Sequence, residues 1–257
     1  MPQSAFRNHV LKSLSPADFA LVQPSLHHVV LGDKAQLATA NASIKNVYFP
    51  EAGVASVVAT AAGGGQSAVG FIGREGMSGL ALVLGQDSSP EQTIVQIAGS
   101  GWCLSGPMLR AALADSSTLR DTLLRYVFTY IVQLSRTSLV NCRSNLQERL
   151  ARSLLMLHDR IDSDRIDLTH GLLATMLGAR RPGVTAAMQM LEYRGLISAK
   201  RGSFEIRDRA ELINLSHGAY GEEEQASIQP ATREPRATRA CQPGRLRIPP
   251  RRKSPPA

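Results

Sequence analysis

The hydrophobic and polar positions divide this chain into three stretches with different periods. From Val29 to about Leu104, short β-rich runs alternate with turn residues, which is typical of an antiparallel barrel or jelly roll. Residues 107–140 carry apolar positions at three- and four-residue steps, which predicts a long helix. Residues 145–206 read as short helices followed by a hairpin. The pattern predicts an α+β chain: an N-terminal antiparallel β jelly-roll barrel, a long helix and a C-terminal helical domain.

The N-terminal stretch divides into a helical lead-in, residues 1–28, and a β-barrel, residues 29–106. Ser15-Pro16-Ala17-Asp18 is a good helix start, with serine as cap and proline in the first turn. Gly63-Gly64-Gly65 is predicted to be a hairpin tip. A phosphate-binding loop is not expected there, because no helix follows it.

The long helix, residues 107–140, carries two apolar stripes. One stripe is predicted to pack on the barrel and the other to meet a partner helix. The inward stripe consists of Leu119, Leu123, Tyr126 and Tyr130. The predicted dimer seam consists of Leu124, Val127, Ile131, Leu134 and Ser138. The alternative is one long core helix within a single protomer.

The C-terminal stretch, residues 141–216, is predicted to be a winged helix-turn-helix. Thr169 suits the N-cap of a first helix, and Gly178 suits its end. Pro182 suits the first turn of a second helix, which Gly195 ends. Two alternating runs around Arg201-Gly202 then form a hairpin, and helix, turn, helix and hairpin make the motif.

Positive charge accumulates on this motif. Arg180 and Arg181 fall at the start of the second helix, and Lys200 and Arg201 fall at the hairpin tip. These are the positions from which such a domain reaches bases and phosphates of double-stranded DNA. The DNA-contact candidates are Thr169, Arg180, Arg181, Thr185, Gln189, Lys200 and Arg201. The alternative is a small helical subdomain with a solvated basic face.

Composition excludes several other classes. The net charge of +8 suits an acidic partner, and three widely spaced cysteines argue against a disulfide framework or a tetra-cysteine metal site. His27-His28 has no third candidate ligand nearby, so no metal and no cofactor are expected, although haem ligation by either histidine stays open. No apolar run approaches membrane-spanning length, so a soluble cytoplasmic protein is expected, with no membrane partner. We find no G-x-S-x-G, Walker or HExxH motif and expect no enzymatic activity.

Several stretches carry a resemblance to the Crp/Fnr family of bacterial transcription regulators. They are Leu14–Phe19, Val47–Gly53, Ile72–Met77, Glu148–Arg152 and Leu177–Thr185. The resemblance spans about residues 10–215. It implies a cyclic-nucleotide-binding fold for the barrel, a homodimer joined by the long helix, and a palindromic operator. It also implies RNA polymerase as a partner and a small-molecule effector, which the sequence does not identify.

The chain departs from the family at the effector site. A cyclic-nucleotide binder holds the phosphate with a Gly-Glu segment and a following Arg-Ser pair. Here Arg74-Glu75-Gly76 stands in the first segment, whereas Ser88–Thr93 has no arginine and carries Glu91, which repels a phosphate. We therefore expect neither cyclic AMP nor cyclic GMP to bind. The predicted effector-pocket residues are Gly73, Arg74, Glu75, Gly76, Gln92 and Thr93.

The DNA-contact positions also differ from the best-known pattern of the family. That pattern has Arg-Glu at the start of the recognition helix and a further arginine one turn later. The matching positions here are Arg181, Pro182 and Ala186, so the operator should differ. Arg181 retains the geometry for a two-pronged contact to guanine.

The last stretch, residues 217–257, is predicted to be a disordered tail. Its eight basic and four acidic residues give it a net charge of +4, half of the chain's +8. It also carries seven of the 14 prolines. Two interpretations stay open: a basic arm that adds non-specific DNA affinity, or a dispensable extension. A competing interpretation of the whole chain is a barrel that docks a protein partner and merely retains a DNA-binding domain.

Overall fold

The computed structural model describes residues 2–221 of the chain. The chain enters through two short helices, α1 (His9–Ser13) and α2 (Pro16–Val22). Ser15 caps α2 as predicted, because its hydroxyl accepts the backbone N–H of Asp18 at 3.1 Å. Asn8 caps α1 in the same way and also donates to the backbone oxygens of Pro50 and Gly76. These contacts fix the lead-in on the sheet.

The barrel stretch forms one antiparallel sheet of five strands. The strands are β1 (His27–Leu31), β2 (Gln36–Ala38), β3 (Asn46–Thr60), β4 (Gln66–Ile72) and β5 (Gln92–Ser105). The strand order is β1-β5-β3-β4, with β2 also paired to β5. The predicted antiparallel β class is therefore confirmed, and His27 begins β1. A short helix, α3 (Leu80–Val83), lies between β4 and β5.

Two of the strands are longer than the sequence predicts. The turn expected at Glu51–Gly53 lies inside β3, and the runs expected on either side of Ala98–Ser100 both lie inside β5. The pairing of β3 with β5 shifts register at residues 50–55. Gly53 takes a positive φ of 82° there. A bulge uses the same residue types as a turn, so the strands bend at these positions without ending.

The predicted long helix is two helices, α4 (Gly106–Asp115) and α5 (Ser117–Arg143). The break lies at Ser116, which takes extended backbone angles and caps α5. The Asp18 carboxylate holds this corner by accepting the hydroxyls of Ser116 at 2.5 Å and Thr118 at 2.8 Å. Burial acts to raise the pKa of Asp18, but the hydrogen bonds from Ser116, Ser15 and Thr118 outweigh it and hold the pKa below the ordinary value.

The Gln133 side chain of α5 forms hydrogen bonds to β4, the last strand in the order of the sheet. The Gln133 amide accepts the Phe71 N–H at 2.6 Å and donates to the Phe71 carbonyl at 3.3 Å. Both residues are buried. An edge strand presents unpaired peptide groups, and Gln133 satisfies one such pair in β4. The sequence patterns did not single out Gln133.

The C-terminal domain follows the predicted order. Its elements are α6 (Leu146–His158), β6 (Arg165–Ile166), α7 (His170–Leu177), α8 (Arg181–Tyr193), β7 (Ile197–Lys200), β8 (Ser203–Ile206) and α9 (Arg209–Leu215). Strand β8 lies between β6 and β7 in a three-stranded sheet. Asn145 and Glu148 form a reciprocal capping box at the start of α6.

One apolar core runs from the C-terminal domain into the barrel. Val54, Ala68 and Phe71 of the barrel pack with residues of α6, α7 and α8. Ser67 of β4 lies so close to Gly178 that a Cβ on Gly178 would stand 3.0 Å from the serine oxygen. The DNA-binding candidate domain is therefore docked on the β3–β4 hairpin.

The predicted tail begins too early at residue 217. Ala219 and Tyr220 are buried, and the Tyr220 hydroxyl donates to Asp159 at 2.6 Å. The domain therefore extends past residue 217, because an aromatic side chain after α9 closes its core. The remainder of the predicted tail, residues 222–257, lies outside the described residues.

Within residues 2–221, no helix has the length and apolar character that crossing a bilayer requires.

Candidate nucleic-acid interface and barrel cavity

The helix-turn-helix is built by local signals at the predicted positions. The Thr169 hydroxyl caps α7 by accepting the Leu172 N–H at 3.2 Å. Gly178 ends α7 in the left-handed conformation at φ 56°, which glycine adopts without strain. Arg180 is the N-cap residue of α8, and a proline occupies its first turn.

Helix α8 has a buried side and an exposed side. Val184, Met188 and Leu191 are at most 1% exposed and hold α8 on the domain core. The exposed row runs at helical spacing through Pro182, Ala186, Gln189 and Tyr193. This row, with Arg181 at its N-terminal end, is the face that α8 can present to a groove.

Four cations surround this face without counter-charges. Arg180 and Arg181 are exposed at the start of α8, and Lys200 and Arg201 are exposed at the β7–β8 turn, where Gly202 takes a φ of 78°. Within residues 2–221 none of the four forms an ion pair. Other arginines of the domain are paired, as Arg194 is with Glu211 at 2.9 Å. Unpaired exposed cations at these two places suit phosphate and base-edge contacts.

Thr185 differs from the other candidates. It is half-buried, and its hydroxyl shares a hydrogen bond with His170 Nδ1 at 3.1 Å. It therefore links α8 to α7 and positions the recognition helix. The other six DNA-contact candidates are exposed.

Sequence reasoning missed two residues on α8. Tyr193 is 89% exposed and Met190 is 44% exposed. The signal was the spacing of Tyr193 from Pro182, Ala186 and Gln189, which places it on the same row. Tyr193 therefore extends the exposed row of α8 by one large aromatic side chain.

The barrel hairpin borders the start of the recognition helix. Arg180 and Arg181 line a groove together with Ala61, Gly64 and Gly65 of the β3–β4 turn. This turn is the predicted hairpin tip. The barrel and the start of α8 therefore share one surface.

A second site lies between the sheet and α5, as a cavity of about 250 Å³. Most of its wall is apolar, and the polar residues that line it are Ser89, Glu91, Thr93 and Tyr130. The Glu91 carboxylate accepts the Ser89 hydroxyl at 2.5 Å. Burial, and then the Glu91 charge, raise the pKa of the Tyr130 phenol.

The predicted effector-pocket residues do not all gather at this cavity. Thr93 lines it, whereas Gln92 lies beside Gln36, 3.4 Å from its amide. The segment Gly73–Gly76 turns toward the C-terminal domain instead. Glu75 pairs with Arg160 at 2.7 Å, with their side chains 4% and 1% exposed.

The residues on either side of Glu75 also make contacts away from the cavity. Arg74 donates to the Arg160 carbonyl at 3.2 Å and pairs with Asp162 at 2.6 Å. Gly73 packs against the Arg160 side chain, and Gly76 packs against Tyr126. The charged residues of this segment therefore lie away from the cavity and contact Arg160 and Asp162, which follow α6, and their predicted effector role stays a prediction.

The predicted dimer seam is also only partly exposed. Leu124 and Ile131 are 37% and 49% exposed, and Ser138 is exposed. Val127 is 5% exposed and Leu134 is half-buried, and both line the cavity. At about 100° per residue they lie roughly 80–100° from the centre of the exposed row formed by Leu124, Phe128, Ile131 and Leu139, on the barrel side. The exposed apolar row instead includes Phe128 at 67% and Leu139 at 49%.

Comparison with known proteins agrees with this architecture. Residues 148–215 match the family model of the Crp-like helix-turn-helix domain. A Crp/Fnr-family transcriptional regulator from Eubacterium rectale is similar in structure, with a TM-score of 0.65, 18% identity, and coverage of 81% of this chain and 98% of that one.

Two further solved structures are similar. A CRP-family transcriptional regulator from Thermus thermophilus has a TM-score of 0.62 and 16% identity, covering 75% of this chain and 97% of that one. FixK2 from Bradyrhizobium japonicum has a TM-score of 0.62 and 17% identity, covering 74% and 96%. No curated protein matches the chain in sequence. The domain match and the shared fold confirm the resemblance to the Crp/Fnr family and the predicted winged helix-turn-helix.

Proposed function

We propose that this chain, which carries a Crp-like helix-turn-helix domain within a Crp/Fnr fold, is a dimeric, sequence-specific transcription regulator. The observation that carries the proposal is the group of four exposed cations without ion pairs in residues 2–221, at the start of α8 and on the wing. Arg181 and the α8 row read base edges in the major groove, while Lys200 and Arg201 contact phosphates. Thr169, Arg180 and Gln189 complete the contact surface.

The dimer is supported by the outer face of α5. Leu124, Phe128, Ile131 and Leu139 follow helical spacing and expose apolar surface along the helix. Exposed apolar side chains along one side of a long helix suit a protein interface. We take a second copy of this chain as the partner, because paired α5 helices would hold two winged helices at a fixed spacing. The operator is then an inverted repeat.

The barrel is the sensory part of this regulator, and its cavity is not a cyclic-nucleotide site. No lysine, arginine or histidine is among the described residues that line the cavity, whereas Glu91 is one of them. A cyclic phosphate would lose its hydration there without a cation in exchange. We expect calorimetric titration with cyclic AMP or cyclic GMP to give no saturable binding. Micromolar affinity for either would contradict this part of the proposal.

The operator is tested by selecting duplexes from a random DNA pool with the purified protein and no added effector. We expect recovery of an inverted repeat whose half-sites lie about one helical turn apart. A matched selection with Arg180, Arg181, Lys200 and Arg201 all changed to alanine should recover nothing. Equal recovery of random sequence by both proteins would contradict sequence-specific binding. A parallel selection in cell extract shows whether a missing effector accounts for a blank result.

The dimer is tested by placing a charge on the exposed row of α5. Phe128→Glu should convert the protein to a monomer, because a carboxylate replaces the most exposed apolar side chain of that row. Val30→Glu is the matched control, since Val30 is 81% exposed on β1. Sedimentation equilibrium measures both. A dimer that survives Phe128→Glu, or a wild-type monomer at operator-binding concentrations, would refute the assignment of the seam.

A barrel that docks a protein partner and merely retains a DNA-binding domain is the competing function. Operator recovery by the purified protein alone separates the two, because the competing function requires the partner. The RNA polymerase contact implied by the family resemblance stays a prediction.

A further inference from the structure

The cavity between the sheet and α5 is large enough to hold a small ring system. Its volume is about 250 Å³, and its apolar wall includes Val57, Ile72, Leu80, Val127 and Leu134. An apolar cavity of ~150 Å³ is sufficient to bind benzene. The cavity therefore has room for a ligand of one or two rings with a short side chain.

Among the described residues, four form the polar part of the wall. Ser89 and Glu91 precede β5, Thr93 lies at the start of β5, and Tyr130 comes from α5. Tyr130 is 7% exposed, and its buried hydroxyl has no hydrogen-bond partner within residues 2–221. A buried hydroxyl without a partner forfeits a hydrogen bond that a ligand can supply.

Among the described lining residues, Glu91 is the one side chain that is charged at neutral pH, because the raised pKa of Tyr130 keeps its phenol protonated. No lysine, arginine or histidine of residues 2–221 lines the wall to neutralise the Glu91 carboxylate. A carboxylate next to apolar walls favours a cation strongly and repels an anion, because water screens the charges less there. The wall therefore selects its ligand by charge as well as by shape.

We propose that this cavity binds a small, largely apolar amine, with its ring against the aliphatic wall and its ammonium on Glu91, within reach of the Tyr130 hydroxyl. The inference rests on the proposed function, in which the barrel is the sensory part, and it adds the chemical class of the effector. Ile131 lines the cavity and also belongs to the exposed apolar row of α5. A bound amine therefore touches the helix that holds the dimer.

The test is calorimetric titration of the full chain with ligands of one shape and different charge. Tryptamine and phenethylamine are the amines, indole-3-propionate is the anionic counterpart of tryptamine, and indole is the neutral one. We expect saturable binding of at least one amine, weaker binding of indole, and none of the propionate. Charged hydrogen bonds are worth about 1.5–3 kcal/mol, which corresponds to roughly a tenfold to hundredfold preference for the amine over indole.

Three variants assign the binding to this cavity. Glu91→Gln should lower the affinity for the amine by roughly tenfold to a hundredfold and leave the affinity for indole unchanged. Asp33→Asn is the matched control, because it removes one exposed acid from the same domain outside the cavity. Tyr130→Phe removes an atom that has no protein partner in residues 2–221, so it should weaken the amine without lowering thermal stability. Ala38→Leu, which adds volume at the wall, should abolish binding of amine and indole alike.

The outcomes separate this inference from the proposed function. No saturable binding by either amine, equal affinity for tryptamine and the propionate, or an amine affinity unchanged by Glu91→Gln would each overturn the inference. Operator recovery in the duplex selection would then leave the regulator assignment intact. Amine binding without operator recovery, in a selection that is run with the amine present, would keep the ligand class and overturn the regulator assignment.

Discussion

Arg160 and Arg181 lie in the same domain, 21 positions apart in the printed sequence, and have opposite surroundings. The Arg160 side chain is 1% exposed, pairs with Glu75 at 2.7 Å and also donates to the Met156 carbonyl. Arg181 is exposed and has no ion pair in the described part of the chain. One arginine joins the domain to the barrel, and the other is available to a partner.

The contrast separates two uses of positive charge that the sequence does not distinguish. A buried guanidinium must be paired, because the desolvated charge is costly without a counter-charge. An exposed guanidinium costs little and keeps its donors for phosphate or guanine. Variants at the two kinds of site should therefore fail in different assays, the first in stability and the second in DNA binding.

The largest effect is expected at the buried pair. Glu75→Ala leaves Arg160 buried without its counter-charge, so we expect a loss of about 3–5 kcal/mol in unfolding free energy. Glu205→Ala is the matched control. It breaks the exposed pair with Arg207 and should cost under about 1 kcal/mol. Urea denaturation measures both variants.

A double variant sharpens this result. Glu75→Leu with Arg160→Met removes both charges and should recover most of the lost stability, because replacing a whole buried pair is often neutral. If Glu75→Ala costs no more than Glu205→Ala, the pair is not the contact that joins barrel and domain. If the double variant is no better than the single one, the other hydrogen bonds of Arg160 carry the stability.

A smaller effect is expected at the exposed arginine of α8. Arg181→Ala should weaken binding to the selected operator by about 1–3 kcal/mol while leaving scrambled duplex binding nearly unchanged. The unfolding free energy should not change, because Arg181 forms no ion pair with residues 2–221. Fluorescence anisotropy with both duplexes measures the preference.

Lys200→Ala is the comparator on the wing. It should weaken both duplexes similarly and reduce the slope of log affinity against log salt by about one. Equal losses on operator and scrambled DNA for both variants would rule out the division between base reading and phosphate contact.

The smallest effect is expected at Asp162. Its partners Arg7 and Arg74 are neither as buried as Arg160 nor, within residues 2–221, unpaired like Arg181. Hydrogen bonds from Arg7 and Arg74 hold the pKa of this 55% exposed carboxyl below its ordinary value of 3.8. The ion pair therefore contributes its full stability above about pH 4 and loses it as the pH falls through the lowered pKa. Asp162→Asn should flatten this acid limb slightly and change little at pH 7. Thermal unfolding between pH 6 and pH 2.5 checks it, and an unchanged acid limb would show that the exposed pair contributes nothing measurable.

Local signals made the helix-turn-helix predictable. Thr169, Gly178, Pro182 and Gly195 each act on the backbone within a few residues, and each occupies the predicted place in the structure. The α5 stripe was predictable only in part. The 3.6-residue period shows that the helix has two faces, but the side that Val127 takes depends on where the sheet lies.

The contacts between domains were beyond the reach of the sequence. Glu75 and Arg160 are 85 residues apart, and no periodic pattern links them. The same holds for Glu91, whose place on the cavity wall depends on how β5 enters the sheet. The turn-forming residues inside β3 were misleading because a local signal can have two meanings. Gly53 occurs in a bulge as readily as in a turn.

The Gln133 contact has a consequence for the chain while it is being synthesised. The peptide groups of Phe71 on the open edge of β4 form these hydrogen bonds only after Gln133, 62 residues later in the sequence, has been synthesised. At synthesis rates of roughly 5–20 residues per second this interval lasts about 3–12 s. During it the nascent sheet carries an unprotected edge, the feature through which chains pair with one another. Helix α5 therefore ends the period in which the newly made barrel is most open to aggregation.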